Sequence, residues 1–246
     1  MTPNKICAII MSFRKGVLII LKKPHMSREF CYIPATLFLA LGAALMTKAD
    51  FGLSAVVAPA YLLSQIFGIS FGTAEYCLQG LLVIAVCLIV RRFRPTYLLS
   101  FVSAFLYGMV LDGMIWLLSL TGPWNVPVRL CMMVVGLVLS SLGVAFFFKT
   151  YLAPGAYELF VKEISLRYRL NMGRFKVIYD LSSCLVAVIL SLAIFQSFFD
   201  HGIGVGTLLV ALVNGLVIGL FSGWLDRTFE FFDRFDLAKY FESREE

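Results

Sequence analysis

Six apolar runs of 18 to 23 residues recur along the chain, at roughly 30–47, 72–90, 97–119, 128–148, 176–198 and 204–224. At 1.5 Å of helical rise per residue, each has the length to cross a bilayer core, which takes about 20 residues. Lipid offers backbone N–H and C=O groups no partners, so runs of this kind fold as helices that satisfy their own backbone. A soluble domain carries about a quarter charged residues; this chain has 15% charged and 60% hydrophobic residues. The expected fold is therefore all-α, a polytopic membrane protein with six transmembrane helices.

Two further segments are apolar or periodic but make poor spans. Residues 54–68 (SAVVAPAYLLSQIFG) are short and contain Pro59. Residues 155–169 (GAYELFVKEISLRYR) carry Glu158, Lys162, Glu163, Arg167 and Arg169. Basic residues decide whether these two cross, because Lys and Arg collect in cytoplasmic loops. If neither crosses, 19 of the 21 Lys and Arg residues fall on one side and only Lys48 and Arg129 on the other. If both cross, Arg91, Arg92, Arg94 and Lys149 change sides. Six spans with both termini in the cytoplasm follow, in the cell membrane. Segments 54–68 and 155–169 become short re-entrant or interfacial helices on opposite faces. The net charge of +6 then reflects basic cytoplasmic loops rather than a nucleic-acid partner.

Sliding the chain on itself by 101 residues aligns LGAALMTK (41–48) with LGVAFFFK (142–149). Leu41, Gly42, Ala44, Lys48, Ala55 and Gly72 then meet Leu142, Gly143, Ala145, Lys149, Ala156 and Gly173, and Gln79 meets Asp180. Each half reads span, break, short helix, span, loop, span. Three spans per half invert the second copy, so the expected architecture is two inverted 3+3 repeats, about 30–120 and 126–224, as in many secondary transporters. A basic N-terminal tail (1–29) precedes the 30–224 membrane domain. Residues 225–246 follow it, and LDRTFEFFDRFDLAKYF (225–241) has the helical spacing of an amphipathic cytoplasmic tail.

The stretches GLSAVVAPAYLLSQIFGISFGT (52–73), AEYCLQG (74–80) with its RRFR loop, LYGMVLDG (106–113), YELFVKE (157–163), and GIGVGT (202–207) with ALVNG (211–215) resemble the YczE/YyaS/YitT-like family of uncharacterised bacterial integral membrane proteins. The resemblance covers roughly residues 30–225. It implies the membrane fold and little biochemistry; transport is the role commonly supposed for such proteins. Where some members have an Asp-Pro-Trp-like element, this chain has Ala58-Pro59-Ala60.

Ionisable residues at membrane depth are costly and count as functional candidates. Asp112, flanked by Gly108 and Gly113, reads either as a cation or proton site or as a structural carboxylate bonded to a neighbouring helix near the outer interface. Glu75 and Gln79 lie one turn apart on one helix face. Asp180 lies one turn inside its span, within reach of Arg174 or Lys176. Asn214 competes between substrate contact and helix packing, and Glu158 between a site role and a solvated face. The turns Gly68, Ser70, Gly72, Thr73 and Gly202, Gly204, Gly206, Thr207 open two spans, as caps or as holders of a polar head group.

The expected function is a small-solute transporter or channel with an intramembrane polar site; its substrate, a small molecule or ion, is not legible. The alternative is a non-transporting membrane subunit or regulator, including a substrate-capturing subunit of a larger transporter. The expected partners are the lipid bilayer and a second copy of the chain, as a homodimer, or another membrane protein. An enzyme is not expected. Only His25 and His201 are present, which removes H-E-x-x-H chemistry. The glycine framing of an intramembrane aspartyl protease is missing around Asp180. No G-x-x-x-x-G-K-[ST] occurs, so the chain carries no nucleotide motor of that kind. Its six cysteines contain no C-x-x-C pair, and neither a metal nor another cofactor is expected.

Overall fold

The computed structural model describes residues 24–91, 93, 95–150, 155–196 and 205–233. A short strand β1 (His25–Ser27) is followed by helices α1 (Tyr32–Ala49), α2 (Ala58–Phe67), α3 (Phe71–Val90), α4 (Pro95–Ser119), α5 (Val126–Phe147), α6 (Ala156–Arg167), α7 (Met172–Leu190) and α8 (Val205–Thr228), then by strand β2 (Glu230–Phe232). A single π-helical turn, Ser191–Phe195, extends α7. Six helices are long and apolar enough to cross a membrane, while α2 and α6 are too short. These are the six spans and two short helices expected, with boundaries shifted by a few residues.

Local chemistry sets the breaks. α1 stops at Asp50, which adopts a left-handed conformation (φ 56°) and donates its N–H to the Met46 carbonyl. α2 begins with Pro59 in its first turn and stops at Gly68, left-handed at φ 63°, a conformation that costs glycine nothing. Ser70 then caps α3, its hydroxyl accepting the Thr73 N–H at 3.2 Å. Asn171 caps α7 in the same way through the Arg174 N–H.

The central contact joins α1 to α5, running antiparallel. It is tight because glycine faces main chain. A Cβ on Gly42 would lie 2.5 Å from Ser140 N and 2.6 Å from Gly136 O; a Cβ on Gly143 would lie 2.6 Å from Leu39 N and 2.8 Å from Ala35 O. Residues 35, 39 and 42 correspond to 136, 140 and 143 at the 101-residue offset. Each partner therefore touches the other through equivalent positions, as in a two-fold contact. α4 packs on α1 as α8 packs on α5, and α3 packs on α6 as α7 packs on α2. Buried alanines and Leu111, Tyr107 and Phe71 fill the space between α1, α3 and α4. Large apolar side chains such as Leu88, Leu212, Leu216 and Leu220 remain exposed on the outer helix faces, as in a protein whose surroundings are lipid.

The two ends of the bundle differ. At one end Arg129 donates to the Ala49 carbonyl at 2.9 Å and pairs with Asp50 at 3.2 Å. At the other, Lys149 pairs with Asp226 at 2.8 Å, and β1 and β2 form a parallel pair. The C-terminal segment here differs from the helix expected over 225–241: Leu225 through Thr228 complete α8, and the next residues are strand. Phe229 and Phe231 turn onto a core of Cys31, Ala35, Ala145, Phe146 and Leu225, and the main chain pairs with β1 instead of continuing its own helix. Residues 234–246 and 1–23 lie outside the described residues.

Candidate functional site

α3 carries Glu75 and Gln79 on the face turned inward, 0% and 2% exposed. Gln79 Nε2 donates to Glu75 Oε1 at 3.2 Å. Its Oε1 accepts the backbone N–H of Ala156, the first residue of α6, at 2.9 Å. The first N–H groups of a helix have no partner within it, and the residue before α6 is Gly155, which has no side chain to cap it. Gln79 takes that role from another helix. The approach is close: a Cβ on Gly155 would lie 3.1 Å from Gln79 Oε1, which would have to give by a few tenths of an ångström.

Aromatic hydroxyls surround the pair. Tyr107 on α4 and Tyr157 on α6 are each 6% exposed, and both interact electrostatically with Glu75. Neither Glu75 Oε2 nor the Tyr157 hydroxyl closes a hydrogen bond of regular geometry, although both atoms are buried. Burial drives the Tyr157 hydroxyl well above its ordinary range. The Tyr157 ring leans on Tyr179 of α7, centroids 6.4 Å apart.

Behind Tyr157 lies a second polar pair. Lys176 Nζ meets Asp180 Oδ1 at 3.2 Å, and Glu158 in the first turn of α6 feels both charges. Burial pushes the Glu158 carboxyl up; the Lys176 ammonium pulls it back. At the 101-residue offset Glu75 corresponds to Lys176 and Gln79 to Asp180. α3 and α7 each carry an i,i+4 polar pair at these positions, an acid with an amide in α3 and an ion pair in α7.

The structure thus gathers four of the sequence candidates, Glu75, Gln79, Glu158 and Asp180, around one helix start. Asp112 is elsewhere. Its Oδ1 accepts the Gly72 N–H at 2.7 Å and its Oδ2 contacts the Ser70 hydroxyl, so it sits on the N-terminus of α3, where carboxylates are favoured. It also borders a cleft of about 360 Å³ lined in addition by Lys48, Ser64, Gln65 and Trp116. Gly72 is required there because α3 and α4 touch main chain to main chain at Gly108. Asn214 accepts from the Ser141 hydroxyl at 2.8 Å, joining α8 to α5. Gly206 donates its N–H to the Phe51 carbonyl at 3.1 Å, and Thr207 Oγ1 accepts the Leu53 N–H at 3.2 Å; together they pin the loop after α1 to the start of α8. Gly202 and Gly204 lie outside the described residues.

Tyr157, Tyr107, Gly155 and Lys176 were not singled out by sequence as site residues. The signal for Lys176 was its helical spacing from Asp180. Conversely, Gly68-Ile69-Ser70-Phe71-Gly72 has the letters of a G-x-S-x-G nucleophile elbow. Here Ser70 follows a helix rather than a strand and is engaged as a cap with Thr73 and Asp112, which is a structural arrangement.

Among the described residues no group of three or more His, Cys, Asp or Glu is placed to hold a metal ion. What the arrangement offers is an acidic, tyrosine-lined polar centre between helices of spanning length, which defines a multi-pass helical membrane protein.

Within that class the chain belongs to a family of unknown function, DUF6198, whose pattern matches residues 26–223. It is also similar to the uncharacterized protein YyaS of Bacillus subtilis (strain 168), with 28% identity over 199 residues, 78% of this chain and 91% of that protein. The family is thus an uncharacterised bacterial one of the YyaS type. No solved structure matches the chain.

Proposed function

We propose that this protein is a small-solute transporter of the cell membrane, built as two inverted repeats with both termini in the cytoplasm, and that its working centre is the polar cluster between α3, α6 and α7. The observation that carries this reading is the Gln79–Ala156 bond. Gln79 lies near the middle of the 20-residue α3. A helix start bonded there reaches mid-depth, so α6 reads as re-entrant. The reciprocal glycine contacts of the antiparallel α1 and α5 support the inverted repeat, and a buried polar centre between discontinuous helices is the setting in which transporters bind solutes. The reading is one of binding and movement, not of catalysis. The test is uptake into proteoliposomes across a panel of small cations, anions and zwitterions. Glu75→Gln and Gln79→Leu abolish accumulation on this reading, and uptake unaltered by both removes the centre from the mechanism.

The second reading is a membrane subunit that captures a solute or regulates a partner. It is favoured by α8, where Gly215, Gly219 and Gly223 recur every four residues with open space above each, a face on which another helix can approach closely. Stoichiometric co-purification of a membrane partner in mild detergent supports that reading; a transport-competent purified protein without one opposes it.

A further inference from the structure

We propose that Glu75 is the proton-carrying residue of this protein: neutral while the start of α6 is docked on Gln79, and ionised when that contact opens to water. Charge and hydrogen-bond satisfaction both favour the neutral form in the docked state. Glu75 is 0% exposed and receives one hydrogen bond of regular geometry, from Gln79, to one oxygen, with the Tyr157 hydroxyl as its other hydrogen-bonding neighbour. Its other oxygen is buried without a regular partner. An ionised carboxylate in that position requires a paired cation or several donors.

The groups facing Glu75 come from α3 itself and from the helices packed around it. α3 contributes only the Gln79 amide. α4 contributes the Tyr107 hydroxyl, and α6 contributes Tyr157 and, beyond it, Glu158. α7 contributes Tyr179, with Lys176 already paired to Asp180 at 3.2 Å. On α2, packed along α3, Tyr61 meets Phe71 one turn away. None of these supplies Glu75 with an uncommitted cation. The equivalent pair in the other half, Lys176–Asp180, carries its neutralising charge within itself; the Glu75–Gln79 pair does not. A proton on Oε2 closes the deficit, and it also gives Glu75 an O–H that can donate to the Tyr157 oxygen. No other atom need move. Release breaks that O–H bond and passes the proton to water admitted between α3 and α6, leaving the electron pair on the carboxylate. Among the described residues, Glu75 Oε2 and the Tyr157 hydroxyl are the buried side-chain oxygens here without a regular hydrogen bond, too few to replace the water shell of a metal cation.

The inference rests on the transport reading for its purpose, but its readout does not. The experiment is infrared difference spectroscopy of the purified full-length protein in lipid bilayers, comparing wild type with Glu75→Gln across pH, in buffers with and without sodium. The expected result is a protonated-carboxyl C=O band at neutral pH that is lost in Glu75→Gln and indifferent to sodium. Tyr157→Phe should keep the band and shift its frequency, which assigns it even if Glu75→Gln does not fold. Loss of only carboxylate bands in Glu75→Gln, or a sodium-dependent band, overturns the proposal. Proteoliposome uptake separates the two ideas: the band without uptake leaves the proton site and removes transport, while pH-independent uptake without the band does the reverse.

Discussion

Gln79 caps a helix that is not its own: its side-chain oxygen accepts the N–H of Ala156, 77 residues away in sequence, at 2.9 Å. Its amide nitrogen is turned onto Glu75 at the same time. One side chain thus holds the start of α6, the orientation of a buried acid, and the α3–α6 contact.

Removing the cap should be costly. Gln79→Leu leaves the Ala156 N–H and one Glu75 oxygen unpaired in a buried setting, a loss on the order of 1–3 kcal/mol per group. Gln79→Glu keeps the acceptor for Ala156 but sets a second carboxyl against Glu75, so it should be destabilised more at high pH than at low. Thermal unfolding in lipid nanodiscs measures both; a Leu variant as stable as wild type shows that the bond contributes nothing.

The α1–α5 contact should respond symmetrically. Gly42→Ala and Gly143→Ala each drive a methyl group into main-chain atoms of the other helix, and both should lower the yield of monodisperse protein to a similar degree. Gly219→Ala meets nothing within 4 Å and should leave yield within error of wild type. Size-exclusion profiles of the three variants decide the matter, and a tolerant Gly143 beside an intolerant Gly42 contradicts the reciprocal contact.

Asp112 separates stability from function. Asp112→Ala removes a helix N-terminal acceptor, a change that costs about 0.5–2 kcal/mol. Asp112→Asn keeps an oxygen for the Gly72 N–H and should lose less. In the uptake assay Asp112→Asn should retain activity when the folded fraction is normalised. Full loss of uptake with unaltered melting would assign Asp112 a direct role beside its cap.

Glu158 gives a pH signature. Burial raises its folded-state affinity for a proton above the unfolded value, against the pull of Lys176. Between the two values the folded state binds more protons, so its contribution to stability falls as pH rises through that window. Below the ordinary carboxylate range the penalty is absent; above the folded value it is complete. Glu158→Gln should therefore be more stable than wild type at neutral pH and lose the advantage in acid. Melting curves of the pair across pH test this, and a difference that grows toward acid reverses the assignment.

Topology is open to labelling. In a cysteine-free background, Asn125→Cys at the exposed start of α5 should react with an impermeant maleimide in intact cells. Arg169→Cys, exposed between α6 and α7, should react only after permeabilisation. The opposite pattern inverts the proposed orientation.

Much of the fold was legible because its determinants are local. Apolar run length marks the spans, Pro59 and Gly68 bound α2, and the offset of 101 residues pairs Gly42 with Gly143 before either is seen to touch the other helix. The C-terminal segment was not legible, because Leu225, Phe229 and Phe232 recur at the i, i+4, i+7 spacing of a helix face while Phe229 and Phe231 alternate as on a strand. Their packing on Cys31 and Leu225 and the partner strand β1 decided between them.

By itself the sequence determined an all-helical chain with six spanning helices, two short ones and a small set of polar residues among them. Solvent imposes this: in lipid each run must satisfy its own backbone, so helix number and boundaries follow from the runs. Only the tertiary structure decided which polar residues meet. Asp112, the leading candidate by sequence, closes the start of α3, while Glu75 and Gln79 are joined by Tyr157, Glu158 and Lys176 from beyond residue 155. Spacing along one helix places Gln79 beside Glu75. The partner across the interface depends on how glycine contacts let the helices approach, and that is a property of their packing.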